Sequence, residues 1–404
     1  MRILQFLPYL PYPPSNGGRV RSLNILEHLA KKHSIDLVCY VKPGEDVYLA
    51  KLARLCNHVY PIPRLGSPSI KRVRRLSFSL KPILVNFFTS EKAQAILRNL
   101  LIENSYDVIH IETNYIAHNL FVLLKGSYPV VLVESNIESD LMQQLASHTN
   151  NVFWKFFWMF DAIKQRVWER KVWQQATRCA AVAINDANVI TRIKGSNKVD
   201  LVENGVNIDL VPVGYPALIK KRILFVGNFS HKPNVDGILF FLRYIFPIIK
   251  EKIGDVVVDI VGENPPGEIL SMPNLKDINT FGYVDDLRPF YERAMLSICP
   301  IRIASGSRIK ILEALAYGHP VVSTRIGCSG LDVVDREHIL IADSPSDFAQ
   351  AICLLIESRE LRRQIGRKGR RQVQEKYDWK KSADALLDCY LKAKDEIKKP
   401  LIVP

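Results

Sequence analysis

Short, mainly apolar runs alternate along the chain with longer segments in which apolar residues recur every three or four positions. Residues 2–7 form such a run, and the segment 19–33 places Val20, Leu23 and Leu26 on one side. The first pattern predicts a buried β-strand and the second an amphipathic helix. Strands that alternate with helices are typical of βαβ units, so we expect parallel sheets.

The alternation occurs twice, on either side of residues 212–221, a stretch with Pro, Gly and Lys that we interpret as a linker. Before it, further strands are predicted at 35–41, 107–112, 129–134 and 180–184. After it, strands are predicted at 222–227, 255–261, 278–282, 296–300 and 321–323, and helices at 234–250, 286–293 and 307–317.

The sequence thus predicts an α/β protein of two Rossmann-like parallel-sheet domains, residues 1–211 and 212–378, with a terminal helix at 379–396 joining the first. Ligands of open parallel sheets bind beyond the carboxyl ends of the strands. We therefore expect the functional site in the cleft between the two domains.

Composition narrows the class of protein. The 404 residues suffice for two or three domains, and 48% apolar with 24% charged residues is ordinary for a protein with packed cores. The seven cysteines are scattered and never spaced as C-x-x-C, so neither a disulfide framework nor a zinc site is predicted. Prolines interrupt the N-terminal apolar run, and no run reaches the ~18 residues of a membrane span, so we expect a cytoplasmic protein.

The net charge of +14 is uneven, since residues 1–200 carry 26 Lys and Arg against 15 Asp and Glu. A basic half predicts an anionic partner: nucleic acid, an anionic membrane surface or a phosphorylated acceptor. The alternative is solubilising surface charge. No nucleic-acid-binding motif accompanies the charge, so we expect no nucleic-acid partner.

The most informative segment is the small-residue loop 304–307, which leads from a predicted strand into a predicted helix. Backbone N–H groups at a helix start bind anions, and Gly306 allows close approach. Arg308 lies in the predicted first turn, where a cation is unfavourable for the helix dipole unless an anion also binds. The pattern predicts a phosphate site; the alternative is a solvated helix with ordinary surface charges.

Taken in order, the motifs resemble those of retaining GT-B glycosyltransferases of family 4 (group 1). The family's E-x7-E and A-x-A-x-G-x-P-V-V segments are matched by residues 305–322, except that Ser305 replaces the first Glu. Further family segments are matched at 16–18, 107–110, 204–207, 226–227, 282–287 and 377–379. With the P-N-V-D segment at 233–236, the set is similar to a bacterial subgroup tied to extracellular polysaccharide synthesis.

The resemblance implies the GT-B fold, with two Rossmann-like domains facing each other across a cleft. It implies transfer of a sugar, with retention, from a nucleotide-diphosphate donor to a glycan or lipid-linked acceptor. Glu313 would hold the donor ribose, whose hydroxyls a carboxylate accepts well. Gly306 and Ser307 would offer backbone N–H groups to the diphosphate, and Tyr283 and Val284 would lie near the base.

In the first domain, the resemblance implies that Gly17 and Gly18 let the backbone approach the donor. It places His110 near the donor sugar and the acceptor, as a catalytic residue. The alternative for His110 is a histidine at the edge of the core, satisfied by a neighbour.

Three donor-site positions depart from the family pattern. Ser305 stands where the family has a Glu that contacts the donor sugar, and Asn228 stands where it has a diphosphate-binding Arg. By position, we expect both residues to contact the donor. The family's Lys aligns one residue after Lys232. We therefore expect Arg308 to supply the catalytic cation, with Lys232 or Lys310 as alternatives, because guanidinium grips phosphate bidentately.

The resemblance implies neither a metal nor another cofactor, and no D-x-D motif stands at a plausible strand end. Charge developing on the departing nucleotide diphosphate would be stabilised by Arg308 and the helix N-terminus. No residue is an obvious covalent nucleophile, so we expect the acceptor hydroxyl to attack on the same face, assisted by the departing phosphate.

Two segments of the first domain mix bases with apolar residues, 70–90 and 153–173. Both patterns fit an anionic bilayer, and so a position at the inner face of a membrane. For 70–90 we prefer a membrane or an acidic acceptor. For 153–173 we prefer aromatic rings packed within the domain, with bilayer docking as the alternative.

Two other functions remain open at this point. One is a sugar-nucleotide epimerase or soluble glycoside synthase on the same architecture. The other is a degenerate relative that acts as a membrane scaffold of a polysaccharide assembly complex, as the replacements Ser305 and Asn228 would allow.

Overall fold

The computed structural model describes residues 1–64, 79–124, 128–149, 151–209, 221–271 and 275–398. The chain divides into two units. The first comprises residues 1–14, 18–203 and 382–404, and the second comprises residues 15–17 and 204–381. Among the described helices, none is long and apolar enough to cross a membrane. The predicted linker 212–221 lies outside the described residues except for its last residue. The basic cluster at 71–75 lies wholly outside them.

The first unit is an α/β layer structure. Its strands are β1 Arg2–Leu7, β2 Ser34–Val41, β3 His58–Pro63, β4 Val108–Glu112, β5 Val130–Glu134, β6 Arg178–Ala181 and β7 Val199–Leu201. They form one parallel sheet in the order β3-β2-β1-β4-β5-β6-β7. Strands β4 and β5 are buried along their whole length, as expected when helices cover both faces of a parallel sheet.

The helices of this unit begin with α1 Gly17–Leu29, whose first residue is grouped with the second unit. The others are α2 Leu49–Leu52, α3 Ile83–Phe88, α4 Glu91–Glu103, α5 His118–Phe121, α6 Glu138–Ser147, α7 Val152–Gln175 and α8 Ile184–Lys194. The first half of α7 contradicts the preferred interpretation of 153–173. Phe153, Phe156 and Phe160 are exposed, whereas Trp173, near the other end, is buried.

The second unit repeats the architecture. Its strands are β8 Lys221–Val226, β9 Val256–Val261, β10 Ile278–Phe281, β11 Leu296–Cys299, β12 Val321–Ser323 and β13 Leu340–Ile341. They form a parallel sheet in the order β10-β9-β8-β11-β12-β13. The helices are α9 Lys232–Phe240, α10 Phe246–Ile253, α11 Arg288–Arg293, α12 Ile309–Ala316, α13 Pro345–Glu357, α14 Arg359–Lys376 and α15 Trp379–Lys398, the last grouped with the first unit from Ser382 onward.

The two parallel sheets confirm the predicted α/β class, while several boundaries differ. The predicted helix 234–250 is divided by a π-turn at Phe241–Ile245 just before Pro247, because proline lacks the N–H that would continue the helical ladder. The strand predicted at 180–184 lies at Arg178–Ala181, and Ile184 already begins a helix. The helix predicted at 307–317 begins at Ile309.

Residues 204–209 belong to the second unit, ahead of the boundary expected at 211. The Val206 N–H donates to the carbonyl of Tyr377, and Gly205 packs against the backbone of Trp379. A Cβ at Gly205 would lie 2.6 Å from the Trp379 nitrogen, so a side chain there would force the two segments apart.

Candidate functional site

The loop that follows β11 carries four of the predicted site residues of the second unit, at positions 305–308. Gly306 has φ +71°, a conformation that glycine adopts without strain. Arg308 has an extended backbone and immediately precedes α12, so it is the N-cap and not, as predicted, a residue of the first turn. Its guanidinium donates to the carbonyls of Ser305 and Gly306. These two hydrogen bonds stabilise the loop conformation and keep the guanidinium charge of Arg308 beside the start of α12.

Lys310, the second residue of α12, adds a second cation. Its ammonium donates to Oδ1 of Asn234 at 2.8 Å and lies 4.6 Å from the ring centroid of Phe225. No carboxylate of the described residues forms an ion pair with it. Burial, and to a lesser extent the charge of Arg308, lowers the pKa of Lys310 to about 8. The site therefore holds positive charge that an anion would compensate.

The charge of Arg308 and Lys310 also affects His231, which immediately precedes α9. His231 is exposed at the surface, but desolvation on the side of the ring that faces the protein, and then the charges of Arg308 and Lys310, lowers its pKa to about 4. Lys232, the first residue of α9, has its pKa lowered by burial alone. The proximity of His231 to both cations was not predicted from the sequence.

Asn228 is engaged by the protein itself. Its amide nitrogen donates to Oε2 of Glu263 at 2.9 Å and to the carbonyl of Ser15 at 3.3 Å, and its Oδ1 accepts from the Ser230 N–H. Asn234 in turn donates to the Asn228 carbonyl at 2.7 Å. The side chain thus orders the turn after β8, and its predicted contact with a donor stays a prediction.

Asn234 and Gly227 are two further site residues that sequence reasoning missed. A Cβ at Gly227 would lie 3.0 Å from the Lys310 ammonium and 3.1 Å from Cγ of Asn234. The glycine therefore leaves room for the lysine–asparagine contact. The P-N-V-D segment that contains Asn234 was the available signal, although nothing in it indicated Lys310 as the partner.

Glu313 lies farther along α12, and no donor of the described residues hydrogen-bonds its carboxylate. Burial raises its pKa to about 7. The same carboxylate contributes to the raised pKa values of Tyr291 and Tyr317, which places it near both rings. A carboxyl group so placed has hydrogen-bonding capacity that the surrounding protein does not use.

The remaining predicted residues of this unit surround the same edge of the sheet less closely. The Ser307 hydroxyl accepts from Nδ2 of Asn204 at 3.0 Å. Tyr283 and Val284 follow β10, and Tyr283 is 41% exposed. Gly17 lies beside Ile309, 3.6 Å from where a Cβ would be, which is ordinary contact. Within the second unit, position 17 therefore has space for a side chain.

In the first unit, His110 is 3% exposed and both ring nitrogens are occupied. Nδ1 lies 2.5 Å from the hydroxyl of Tyr390, and Nε2 lies 2.9 Å from Oε2 of Glu112. Ser135 donates to the other oxygen of Glu112 at 2.9 Å. This is the geometry of a core-edge histidine satisfied by its neighbours, and the catalytic role of His110 stays a prediction.

His110 and its neighbours also lower the pKa of Glu112. Burial raises the pKa of Glu112, but the hydrogen bond and charge of His110 and the charge of Arg21 outweigh burial, so the pKa lies below its usual value.

The structure places Gly18 in the same unit, where a Cβ would lie 2.7 Å from the Tyr9 hydroxyl. Tyr390 comes from α15 and had no sequence signal.

Within the described ranges, no three His, Cys, Asp or Glu side chains are grouped as a metal site requires. Metal independence stays a prediction.

Comparison with known proteins gives a consistent assignment for both units. The family model described as "Glycosyltransferase Family 4" matches residues 15–210, and the model "Glycosyl transferases group 1" matches residues 220–358. An uncharacterized 44.6 kDa protein in the cps region of Klebsiella pneumoniae is 24% identical over 387 residues, covering 92% of this chain and 95% of the relative.

Solved structures show the same fold. Sucrose-phosphate synthase from Thermosynechococcus elongatus superimposes with a TM-score of 0.74 at 16% identity, covering 97% of this chain and 99% of the other. Anabaena HepE in complex with UDP-glucose superimposes with a TM-score of 0.67 at 13% identity, covering 98% and 99%. At these identities the likeness establishes the architecture alone.

Proposed function

The chain is a glycosyltransferase of the GT-B type, and we propose that it transfers a sugar from a nucleotide-diphosphate donor bound by its second unit. The acceptor in this proposal is a glycan or lipid-linked sugar of polysaccharide synthesis, and transfer retains the anomeric configuration. The relative in the cps region supports the polysaccharide assignment. The UDP-glucose complex of HepE supports a nucleotide sugar as the class of donor.

The observation that carries the donor site is the charge arrangement around α12. Arg308 and Lys310 bring two cations to the start of a helix whose first N–H groups lack intrahelical partners. Lys310 has no carboxylate partner among the described residues. A diphosphate would accept hydrogen bonds from the helix N–H groups and from the two cations together, and it would compensate their partly buried charge.

Glu313 extends this site from the phosphates to the ribose. Two ribose hydroxyls would donate to its oxygens and supply the hydrogen bonds that the described residues do not. Hydrogen bonds to the ionised form lower a carboxyl pKa. Donor binding would therefore bring Glu313 from a pKa of about 7 towards its ordinary, ionised state.

In the proposed transfer, the bond between the anomeric carbon and the diphosphate oxygen breaks and its electron pair stays on the leaving group. Arg308 and Lys310 stabilise that negative charge. The acceptor hydroxyl bonds to the anomeric carbon on the face that the diphosphate leaves, and its proton passes to a departing phosphate oxygen. A positioned donor to such a developing charge contributes roughly 2.7–4 kcal/mol of barrier lowering.

The test is a thermal-shift panel with UDP, GDP, ADP, TDP and CMP on the wild type and on Glu313→Ala. A nucleotide at 100 times its dissociation constant stabilises the protein by about 2.7 kcal/mol, which is readily detected. We expect one base to dominate, with its stabilisation reduced in Glu313→Ala. The matched control is Glu357→Ala, an exposed helix glutamate of the same unit, which should retain the full shift.

Failure of every nucleotide of the panel to stabilise the wild type would overturn the donor site. It would favour the non-catalytic scaffold. A nucleotide that stabilises all three proteins equally would contradict the assignment of Glu313 while leaving the rest of the site intact.

A further inference from the structure

The first two-thirds of α7, residues 152–167, presents a continuous apolar face to solvent. Its exposed large apolar side chains are Val152, Phe153, Trp154, Phe156, Met159, Phe160, Ile163 and Val167. The three phenylalanines are 57–68% exposed. At about 100° per residue, all of these positions except Trp154 fall within an arc of roughly 120°. A contiguous exposed apolar face of this kind marks an interaction surface.

The opposite side of α7 is fixed against the first unit by buried polar contacts. Gln165 donates to Oδ1 of Asn114 at 2.6 Å, and the Trp173 indole donates to Glu134 at 2.7 Å. Glu169 accepts from both the N–H and the hydroxyl of Ser139. Turning the apolar arc inward would break these bonds, so it faces outward.

Charge distinguishes the two sides of the helix in the same way. The only carboxylates of α7, Asp161 and Glu169, are each 1% exposed and lie on the buried side. Lys155, Arg170 and Lys171 are exposed, and no described carboxylate pairs with them. The outward side therefore combines apolar rings with positive charge and carries no acid of its own.

We propose that this side of α7, residues 152–171, docks on an anionic phospholipid bilayer. The rings and aliphatic side chains would enter the headgroup region, and the three bases would lie over lipid phosphates. A second copy of the chain would place like charges opposite one another, which disfavours self-association through this face. The proposal goes beyond sugar transfer and does not depend on it.

The test is co-sedimentation of the full chain with vesicles of phosphatidylcholine alone or mixed with phosphatidylglycerol. We expect binding to the mixed vesicles only, and weaker binding at high salt. Each base near an anionic surface contributes roughly a fivefold factor in partitioning. The double variant Lys155→Glu/Arg170→Glu should therefore bind at least ~25-fold more weakly. Its matched control, Lys92→Glu/Arg98→Glu on α4, should bind like the wild type.

A second pair of variants tests the apolar face. Phe156→Ser/Phe160→Ser should reduce partitioning at least about tenfold, because burying a phenylalanine side chain is worth roughly that factor or more. The control Val47→Ser/Ile102→Ser removes two residues of the first unit that are 75% and 76% exposed. All variants replace exposed residues and should keep the wild-type unfolding temperature.

Three results would overturn the proposal. One is absence of binding to the mixed vesicles, and another is binding that both α7 variants retain. The third is concentration-dependent self-association of the wild type that Phe156→Ser/Phe160→Ser abolishes, which would assign the face to a second copy. Nucleotide stabilisation measured without vesicles reports on the donor site separately, so failure of one proposal leaves the other standing.

Discussion

Nucleotide binding should change the protonation of Lys310. The pKa of its ammonium in the unoccupied site is about 8, against an ordinary 10.5, because burial and Arg308 disfavour the charged form. This lowered pKa costs folding stability below about pH 8, and the cost fades as the pH rises towards 10.5. A bound diphosphate favours the ammonium and raises its pKa again.

The size of the effect follows from these values. At about pH 8.5 the free site is roughly one-quarter protonated, so binding takes up about three-quarters of a proton. At about pH 6.5 the ammonium is already charged, and uptake by Lys310 falls nearly to zero. His231, with a pKa of about 4, stays neutral at the higher pH, and the nucleotide phosphates are fully ionised there. Lys310 therefore dominates the expected signal.

Isothermal titration calorimetry in Tris and in Bicine at pH 8.5 measures this uptake, because the two buffers differ in ionisation enthalpy. The responding nucleotide should show buffer-dependent heats with the wild type and buffer-independent heats with Lys310→Met. Lys252→Met, an exposed lysine of the same unit, is the matched control and should behave like the wild type. Uptake that persists in Lys310→Met but disappears in Lys232→Met would refute the assignment to Lys310.

Three other substitutions have expected results. Glu313→Gln should bind the responding nucleotide about tenfold more weakly than the wild type, as measured by calorimetry. The dideoxyribose analogue of that nucleotide should bind both proteins alike, because only the ribose hydroxyls contact the carboxylate. Tyr390→Phe should lower the urea-derived free energy of unfolding by about 1–2 kcal/mol through loss of the bond to His110 while leaving nucleotide affinity unchanged; an unchanged unfolding curve would contradict this. Gly262→Ala should lower the free energy of unfolding by about 2–3 kcal/mol, because φ at Gly262 is +151° and a Cβ there would lie 1.8 Å from a backbone oxygen. The control Gly267→Ala should be nearly neutral, because a Cβ at Gly267 meets nothing within 4 Å. Equal unfolding midpoints for the two variants would refute this.

The sequence predicts those strands whose residues form a continuous apolar run. The central strands are buried runs, and periodicity identifies them. The strands β3, β7 and β13 were missed, and each lies at the edge of its sheet. Strand β3 contains two prolines, which an edge strand tolerates, and the other two span only three and two residues. Their pairing depends on neighbours distant in the chain.

The site shows the same division between local and distant information. The loop before α12 and Glu313 lie on one continuous segment, so spacing alone identified them. The Lys310–Asn234 contact joins residues 76 apart, and the His110–Tyr390 contact joins residues 280 apart. In α7, apolar residues occur on both sides of the helix, so periodicity could not tell which side the first unit would cover.

Unused hydrogen-bonding capacity separates the binding candidates from the structural ones. Asp259 is as buried as any carboxylate in the second unit, yet it accepts from Arg222, Arg293 and Asn279 at 2.8–3.0 Å. A ligand would have to displace those bonds. Glu313 has no such partner among the described residues, and burial leaves it with a pKa of about 7. Glu313 is only partly buried, so its oxygens stay accessible to a ligand, whereas those of Asp259 are fully buried and already saturated by protein donors.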